Sequence, residues 1–377
     1  MSGLSLRQVG AGAAAVAVAG WLVAVAGPGY AAGQRPGAAF SLPHRSSTQQ
    51  ELLAVAASSA ADAWAVGTLI VHWDGRKWRR QTGPMTGTCT ATLSGVAAVA
   101  RNDAWAVGLC ASRAIIEHWN GRRWSIQARP DPGGASFSKL SAVSAVSASD
   151  AWAVGITMSG SQVRTLIEHW NGRQWRAQSS PDPASSSELL GVSASSAKNA
   201  WAVGTSESSS VQRTLIEHWN GRKWQVQSSL SPGSQGNSLA SAAAVSGTNA
   251  WATGEYGFGT GDSTLIESWN GAGWSVESSG NPAALNGLNG VAATSASNAW
   301  AVGFASSGFG ASTVIERWNG STWSIVPSPN AGTEDNLLAV AAVSGASAWA
   351  VGAAGSPART LIEHWNGATW KIQASPN

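Results

Sequence analysis

The residues with the clearest chemical potential in this chain lie in a ten-residue phrase that recurs seven times. Its fourth copy reads LIEHWNGRKW, from Leu215 to Trp224. Glu and His could act as a general acid or base, or bind a metal ion. A catalytic constellation needs different residues that converge once, however, and this pair is copied along the chain. Copy one has Val71 in place of Glu, and Ser268 and Arg317 replace His in copies five and six. We therefore predict a structural role for the phrase, with no catalytic residue, metal ion or cofactor.

A second phrase, AWAVG, precedes each copy of the first, and its Trp residues define the length of the repeat. They are Trp64, Trp105, Trp152, Trp201, Trp251, Trp300 and Trp349, at intervals of 41 to 50 residues. Each unit divides into a small-residue run, AWAVG, the LIEHW run and a Trp-led run. Asn-Gly between the last two runs predicts a hairpin with a type I′ turn. Seven units of four antiparallel strands predict an all-β fold, a seven-bladed β-propeller over residues 51–377.

The phasing of the units leaves no strand exchanged between the two ends of the chain. A first strand begins near Leu52, and a fourth strand ends near Gln373. How the ring closes is therefore open at this point.

The AWAVG…HWNG…W pattern resembles the secreted seven-bladed repeat propellers of high-GC Gram-positive bacteria, the actinobacterial type. More distantly it is similar in plan to the Kelch and galactose-oxidase propellers. The resemblance covers roughly residues 50–377 and implies the fold, with little about activity. Asn220 is followed directly by Gly221, unlike the Asp-box of sialidases, and the double Gly and the Tyr of Kelch blades are missing. No functional residue of those families can be carried over.

The first fifty residues differ from the repeats. One basic residue, Arg7, precedes an apolar stretch from Ala11 to Gly27, and small residues follow Pro28. This order predicts a secretory signal peptide over residues 1–32 and a linker over 33–50. The alternative is an uncleaved membrane anchor, for which the apolar stretch is of marginal length. We expect a secreted monomer with no membrane association after cleavage.

Charge and cysteine usage limit the partners and the compartment. Only 11% of the residues are charged, the net charge is +3, and no basic run could follow a phosphate backbone. Nucleic acid is therefore not expected as a partner. Cys89 and Cys110 flank the open ends of the first two strands of the second unit. Because these ends lie side by side in a hairpin, we predict a disulfide, which suits an exported protein.

Functional residues are expected where the repeats differ, in the loops between second and third strands. These loops vary from one residue in copy one to ten in copies three to six, and binding residues concentrate in such loops. The loops of copies five and six combine aromatic rings with carboxylates. The candidate ligand-binding residues are Glu255, Tyr256, Phe258, Asp262, Phe304 and Phe309. The rings could stack on a sugar or anchor a protein partner, or they could simply pack the tips of two long hairpins.

These patterns favour an exported, non-catalytic binding protein that recognises carbohydrate or protein at or outside the cell surface. A multivalent lectin with one weak site between each pair of blades is an alternative. A polysaccharide lyase or glycosidase with its site at the axial mouth is another, and it needs converging carboxylates. The loop and linker acids are Asp131, Asp182, Glu207, Glu255, Asp262, Glu334 and Asp335. Their spacing does not group them, so an enzyme is the less favoured alternative.

Overall fold

The computed structural model describes residues 50–84, 89–130, 134–257, 261–308 and 310–376. All 28 elements within these ranges are β-strands. No helix in this part of the chain is long and apolar enough to cross a membrane. The predicted signal peptide and all but the last residue of the predicted linker lie outside the described residues, so the division of the chain stays a prediction.

Four consecutive strands form each of the blades, which are numbered along the chain. Blades 1 and 2 contain β1 (Leu52–Ser59), β2 (Asp62–Gly67), β3 (Ile70–Trp73), β4 (Trp78–Gln81), β5 (Thr92–Ala100), β6 (Asp103–Cys110), β7 (Arg113–Trp119) and β8 (Trp124–Ile126). Blades 3 and 4 contain β9 (Phe137–Ser147), β10 (Asp150–Ser159), β11 (Gln162–Trp170), β12 (Trp175–Gln178), β13 (Ser186–Ser196), β14 (Asn199–Ser208), β15 (Val211–Trp219) and β16 (Trp224–Gln227). Blades 5 and 6 contain β17 (Gly236–Ser246), β18 (Asn249–Gly257), β19 (Asp262–Trp269), β20 (Trp274–Val276), β21 (Leu285–Ser295), β22 (Asn298–Ser306), β23 (Ala311–Trp318) and β24 (Trp323–Val326). Blade 7 contains β25 (Asn336–Ser344), β26 (Ser347–Ala354), β27 (Arg359–Trp365) and β28 (Trp370–Ile372).

The blades form a closed ring around their first strands. Five blades are separate four-stranded sheets, and blades 5 and 6 share one eight-stranded sheet through a parallel pairing of Asp262 with Leu285. Each first strand contacts the first strand of the next blade, and β25 contacts β1. The prediction of an all-β, seven-bladed propeller of four-stranded blades is confirmed, and the small residues of the first strands lie innermost.

The glycine that ends AWAVG is required by a close approach of two strands. A Cβ atom on Gly67 would lie 2.0 Å from the backbone oxygen of Glu51, and one on Gly204 would lie 1.9 Å from that of Glu188. The backbone of the first strand therefore approaches this glycine so closely that only a hydrogen atom fits in place of a side chain. The close approach lies next to a bulge in the first strand.

Two sides of the ring carry different connections. The turns between first and second strands and those between third and fourth strands lie side by side, as Lys198 and Gly221 do in blade 4. We call this side the turn face. The loops between second and third strands and the linkers between blades form the opposite side, the loop face.

The turn between third and fourth strands is not the predicted type I′ turn. In blade 4 it spans four residues between Trp219 and Trp224, and only Gly221 has a positive φ, of 87°. The Asn220 side-chain oxygen accepts the backbone N–H groups of Arg222 and Lys223 at 3.0 and 3.1 Å. The Asn220 side chain thus satisfies two backbone N–H groups of the turn. Asn220 itself does not have a positive φ, and only Gly221 adopts the left-handed region. The hairpin prediction is confirmed, and the turn type was wrong.

Three Trp side chains meet at every junction between blades, and we call each group a Trp triad. The second-strand Trp of one blade contacts the third- and fourth-strand Trp of the next. Trp201, for example, lies 5.0 Å from both Trp269 and Trp274, edge-on to the latter. The second-strand Trp residues are the largest fully buried side chains of the described chain. Tilted and edge-on contacts at this distance are favourable for aromatic rings.

The same triad closes the ring without exchanging a strand. Trp349 of blade 7 lies 4.9 Å from Trp73 and 5.1 Å from Trp78 of blade 1. The backbone N–H of Gln50 also donates to the carbonyl of Ala358 at 3.0 Å. The ends of the propeller are therefore joined by side-chain packing and by the approach to the first strand.

The predicted disulfide between Cys89 and Cys110 is confirmed. Their Cα atoms lie 5.9 Å apart, and 21 residues separate them in sequence. The bond ties the segment before β5 to the end of β6, on the loop face of blade 2. No free cysteine is present among the described residues.

Candidate functional site

The recurring Glu of the LIEHW phrase is buried at the junction with the preceding blade. Six blades carry it: Glu117, Glu168, Glu217, Glu267, Glu316 and Glu363, each 0–2% exposed. In blade 4 the Ser180 hydroxyl donates to both oxygens of Glu217 at 3.0 Å. The Thr165 hydroxyl of blade 3 lies 2.6 Å from the same Ser180 oxygen. The carboxylate therefore ends a hydrogen-bonded chain that runs from one blade to the next.

Other junctions hold the carboxylate with variations of this contact. Ser279 donates to Glu316 at 2.8 Å, and Ser328 donates to Glu363 at 3.2 Å. Arg129 forms an ion pair with Glu168 at 2.6 Å. These contacts are those of a structural residue, since they join the buried carboxylate to a neighbouring blade. The second oxygens of Glu168 and Glu267 (Oε2 and Oε1) are buried without a hydrogen-bond partner among the described residues.

Burial raises the pKa of these glutamates, because the ionised form loses its hydration. The pKa rises to about 7 for Glu117 and Glu267 and to about 8 for Glu217 and Glu363. The hydroxyl donors of Ser180 and Ser328 oppose these shifts for Glu217 and Glu363 without cancelling them. Each of these glutamates therefore makes the free energy of unfolding depend on pH.

One junction lacks its donor. Glu117 faces Gly83, which occupies the place that Arg129 takes one junction later and Ser180 takes two junctions later. Glu117 Oε2 has no hydrogen-bond partner among the described residues. A Cβ on Gly83 would lie 3.4 Å from Ile70 Cδ1 and 3.9 Å from Glu117 Oε2, and Gly83 does not have positive φ. We expect Gly83→Ser to raise the free energy of unfolding at pH 8 by roughly 1.5–3 kcal/mol, the usual contribution of a hydrogen bond to a charged group. Chemical denaturation measures it, with Gly83→Ala as the control that adds only Cβ; equal stabilisation by both variants would contradict the prediction.

The recurring His lies against the Trp of its own blade. The His72 ring stacks on Trp64 at 4.1 Å, and its Nε2 lies 2.7 Å from Asp62 Oδ1. In blade 6 the Arg317 guanidinium takes the same place, 5.0 Å from the Trp300 ring. In blade 5 the position is Ser268, whose hydroxyl donates to Glu277 at 2.6 Å, so stacking on the indole is not required in every blade. No cluster of three or more His, Cys, Asp or Glu side chains suitable for a metal ion occurs among the described residues.

Three of the candidate loop residues meet at the junction of blades 5 and 6 on the loop face. Glu255 lies on β18, and its Oε2 is 2.4 Å from the position that a Cβ of Gly287 in blade 6 would take. The Phe304 ring lies 2.8 Å from that same position and is 4% exposed. Burial, together with the neighbouring Asp262 carboxylate, raises the pKa of Glu255 to about 7. Neither carboxylate forms a side-chain hydrogen bond or ion pair within the described residues.

Tyr256 does not join this group. It follows Glu255 on β18, and successive strand residues face opposite sides. Its side chain packs against the apolar core at the junction of blades 4 and 5. Phe258 and Phe309 lie outside the described residues. These positions therefore stay predictions.

The sequence did not single out Gly287, which the site requires. With any other residue, the Cβ would meet both the Glu255 carboxylate and the Phe304 ring. Gly287 stands out in the sequence only when the repeats are aligned. The residue before the first-strand Leu is Glu188 in blade 4, Ser238 in blade 5 and Gly287 in blade 6.

The remaining loop acids serve the backbone or lie elsewhere. Asp182 accepts the Thr165 N–H at 2.9 Å, and Asp335 accepts the N–H groups of Ala331 and Gly332. Glu207 is exposed on β14. Asp131 lies outside the described residues. Among the loop acids that the structure describes, Glu255 and Asp262 interact with each other, whereas Asp182 and Asp335 interact with the buried Glu217 and Glu363.

Comparison with known proteins identifies the fold and no family. No family model matches the chain, and no curated protein matches it. Among solved structures the chain is similar to YCF48 bound to a D1 peptide, at 17% identity and a TM-score of 0.54 over 85% of this chain and 92% of that one. It is also similar to YCF48 from Cyanidioschyzon merolae, at 16% identity and a TM-score of 0.53 over 84% and 95% of the two chains. An ulvan lyase of polysaccharide lyase family PL25 matches at 9% identity and a TM-score of 0.51 over 84% and 92%. At these identities the likeness is one of fold.

Proposed function

We propose that this protein is an exported, non-catalytic binding protein that recognises a carbohydrate through the loop face at the junction of blades 5 and 6. The observation that carries the proposal is the pair of carboxylates, Glu255 and Asp262, that interact with each other and make no side-chain hydrogen bond among the described residues. Both side chains are half-buried, and the loss of hydration raises the pKa of each carboxyl. Partly desolvated carboxylates without donors are costly, and a ligand that donates hydrogen bonds would reduce that cost.

The chemistry of the pair favours a sugar over a peptide. Ionised carboxylates only accept hydrogen bonds, and the hydroxyl groups of a sugar are closely spaced donors. The buried Phe304 ring beneath Glu255 contributes to the desolvation of this carboxylate rather than to a ligand contact, and a few directed polar groups in apolar surroundings are typical of small-ligand sites. Propellers of similar fold include a peptide-bound protein and a polysaccharide lyase, so both ligand classes lie within the range of the architecture.

A broad glycan array, followed by calorimetry on any positive glycan, tests the proposal. We expect binding that falls at least about tenfold in Glu255→Gln and in Asp262→Asn, because each change removes a charged acceptor worth more than about 1.4 kcal/mol. The matched control is Glu207→Gln, which neutralises an exposed carboxylate on the second strand of blade 4 and should bind normally. No binding to any glycan, or equal losses in the control, would overturn the proposal and favour a protein partner.

Stoichiometry separates this site from the multivalent alternative. A single site at blades 5 and 6 predicts one ligand per chain, and repeated sites between blades predict several. The second-strand Trp residues are fully buried in the triads, so repeated sites would have to use other side chains.

The second candidate is a polysaccharide-acting enzyme, and the same pair is what favours it. Two interacting carboxylates, one with its pKa raised to about 7, are the arrangement in which one acid is protonated while the other is ionised at neutral pH. Release of new chain ends from a bound polysaccharide, lost in Glu255→Gln, would establish the enzyme. Binding without any such release keeps the non-catalytic assignment.

A further inference from the structure

The turn face carries its positive charge on one side of the ring only. Nine exposed Lys and Arg residues occupy the turns of blades 1 to 4: Arg76, Lys77, Arg101, Arg122, Arg123, Arg173, Lys198, Arg222 and Lys223. The corresponding turns of blades 5 to 7 contain no charged residue. We call the nine side chains the cationic arc.

Little within the described structure neutralises the cationic arc. The only acid in these turns is Asp74, which forms an ion pair with Arg79 of β4 at 2.6 Å. Asp74 also accepts the backbone N–H groups of Arg76 and Lys77 at 2.9 and 3.0 Å. None of the nine side chains forms an ion pair with another described residue. Arg101 also interacts electrostatically with the Asp62 carboxylate of β2. The nine side chains are nevertheless exposed to solvent.

The cationic arc occupies the turns of four consecutive blades, and contacts join some of these turns. Arg101, in the first turn of blade 2, donates to the backbone oxygen of Asp74 in blade 1 at 3.4 Å. Within blade 4 the Lys198 Cβ and Cγ atoms lie against Gly221, so the turn that carries Lys198 is beside the turn that carries Arg222 and Lys223. Successive turns thus present cations along one curved edge.

The asymmetry extends through the whole propeller. Residues 50–235, which hold blades 1 to 4, have 17 Lys and Arg against 12 Asp and Glu, a net charge of +5. Residues 236–377, which hold blades 5 to 7, have 3 against 8, a net charge of −5. A field of this kind attracts and orients a charged partner. This asymmetry is not apparent from the net charge of the whole chain, which is only +3.

We propose that the cationic arc binds an acidic polysaccharide. A polymer with one carboxylate or sulfate on each repeat presents anions at regular intervals, as the arc presents cations. Guanidinium groups bind such oxygens through paired hydrogen bonds. Four half-buried indole rings stand beside the turns, Trp73, Trp119, Trp170 and Trp219. Each is fixed by an N–H donated to a turn carbonyl of its own blade, at 3.0–3.2 Å over the seven blades, so each offers a rigid surface to a sugar ring.

The disulfide is the reason to choose a polysaccharide over a nucleic acid. The Cys89–Cys110 bond is stable in oxidising compartments outside the cytosol, where acidic polysaccharides are the abundant anionic polymers. The site is separate from the carboxylate pair of blades 5 and 6, which is on the loop face. The two proposals therefore fail independently.

The test measures binding of the purified protein to polygalacturonate, with neutral dextran and double-stranded DNA as comparison polymers. Arg222→Ala/Lys223→Thr gives the turn of blade 4 the sequence that blade 7 already uses at Ala368 and Thr369, so folding should be preserved. The matched control is Arg213→Ala/Arg359→Ala, which also removes two exposed cations but from third-strand starts outside the arc. Thermal unfolding checks that both variants are folded.

We expect polygalacturonate to bind, dextran not to bind, and the affinity to fall roughly tenfold or more between about 50 and 200 mM salt, as polyelectrolyte binding does. The blade 4 turn variant should lose about tenfold in affinity, and the control less than about twofold. Absence of polygalacturonate binding, equal losses in the two variants, or DNA binding as tight as polygalacturonate binding would each overturn the proposal.

Discussion

The propeller is expected to lose stability as the pH rises from about 5 to about 8. Burial raises the pKa of Glu217 and Glu363 to about 8 in the folded protein, against about 4.3 in an unfolded chain. Between those values the folded state binds more protons than the unfolded state, so stability falls with increasing pH. The contribution is complete below about pH 4 and is lost by about pH 8. One fully coupled group changes stability by about 1.4 kcal/mol per pH unit.

The acid side of the profile has the opposite sign. Burial opposes the ionisation of Asp62, but hydrogen bonds with His72 and Ser58 outweigh it and lower its pKa. The stability that this Asp contributes is present above the pKa of an unfolded Asp and is lost as the pH falls further. Maximum stability is therefore expected on the acid side of neutrality.

Thermal unfolding between pH 4 and pH 9 measures the profile. Glu217→Gln/Glu363→Gln should flatten the fall above pH 5, because the amide does not titrate and can still accept from Ser180 and Ser328. The exposed Glu207→Gln should leave the profile unchanged. A melting temperature that rises from pH 5 to pH 8, or a slope that the double variant does not change, would contradict the expectation.

The fold could be predicted because the residues that form each blade recur seven times in the sequence. Each junction uses the same residues at nearly the same separation, as with Ser180 and Glu217, which are 37 residues apart, and Ser279 and Glu316, also 37 apart. The period, the strand pattern and the Asn-Gly turns identified the blades from such repetition. The contact partner of each Glu was equally present in the sequence, but only the ring geometry shows that the partner belongs to the preceding blade.

The candidate site could be predicted less well because it depends on departures from the repeat. The sequence assigned Glu255 and Tyr256 to one loop, and the structure continues β18 to Gly257. A strand directs successive side chains to opposite sides, which separates these two residues onto different junctions. Phe304, expected at an exposed tip, is buried for the same reason. Likewise the basic residues are scattered in sequence, and only the turn geometry collects them into the cationic arc.

Removal of the Trp at the closing junction should destabilise the protein more than removal at any other junction. Trp349→Ala deletes the centre of the triad that joins blades 7 and 1, and truncation of a buried Trp costs about 3–5 kcal/mol. The chain itself crosses every other junction between consecutive blades. The closing junction also lacks the buried Glu, because Val71 takes its place. The Trp triad therefore contributes a larger share of the stabilising contacts at the closing junction than at the other junctions.

Trp201→Ala, at the junction of blades 4 and 5, is the matched comparison, since its triad has nearly the same distances. Both variants should unfold more easily, and hydrogen exchange should rise in β1 and β25 for Trp349→Ala but stay local for Trp201→Ala. Trp349→Phe should cost less, because the Trp349 indole N–H has no hydrogen-bond partner among the described residues and the phenyl ring retains most of the packing. If the two Ala variants lost equal stability and exchanged equally at β1 and β25, the closing junction would be no weaker than the others, and the covalent linkers would not contribute to holding the ring closed.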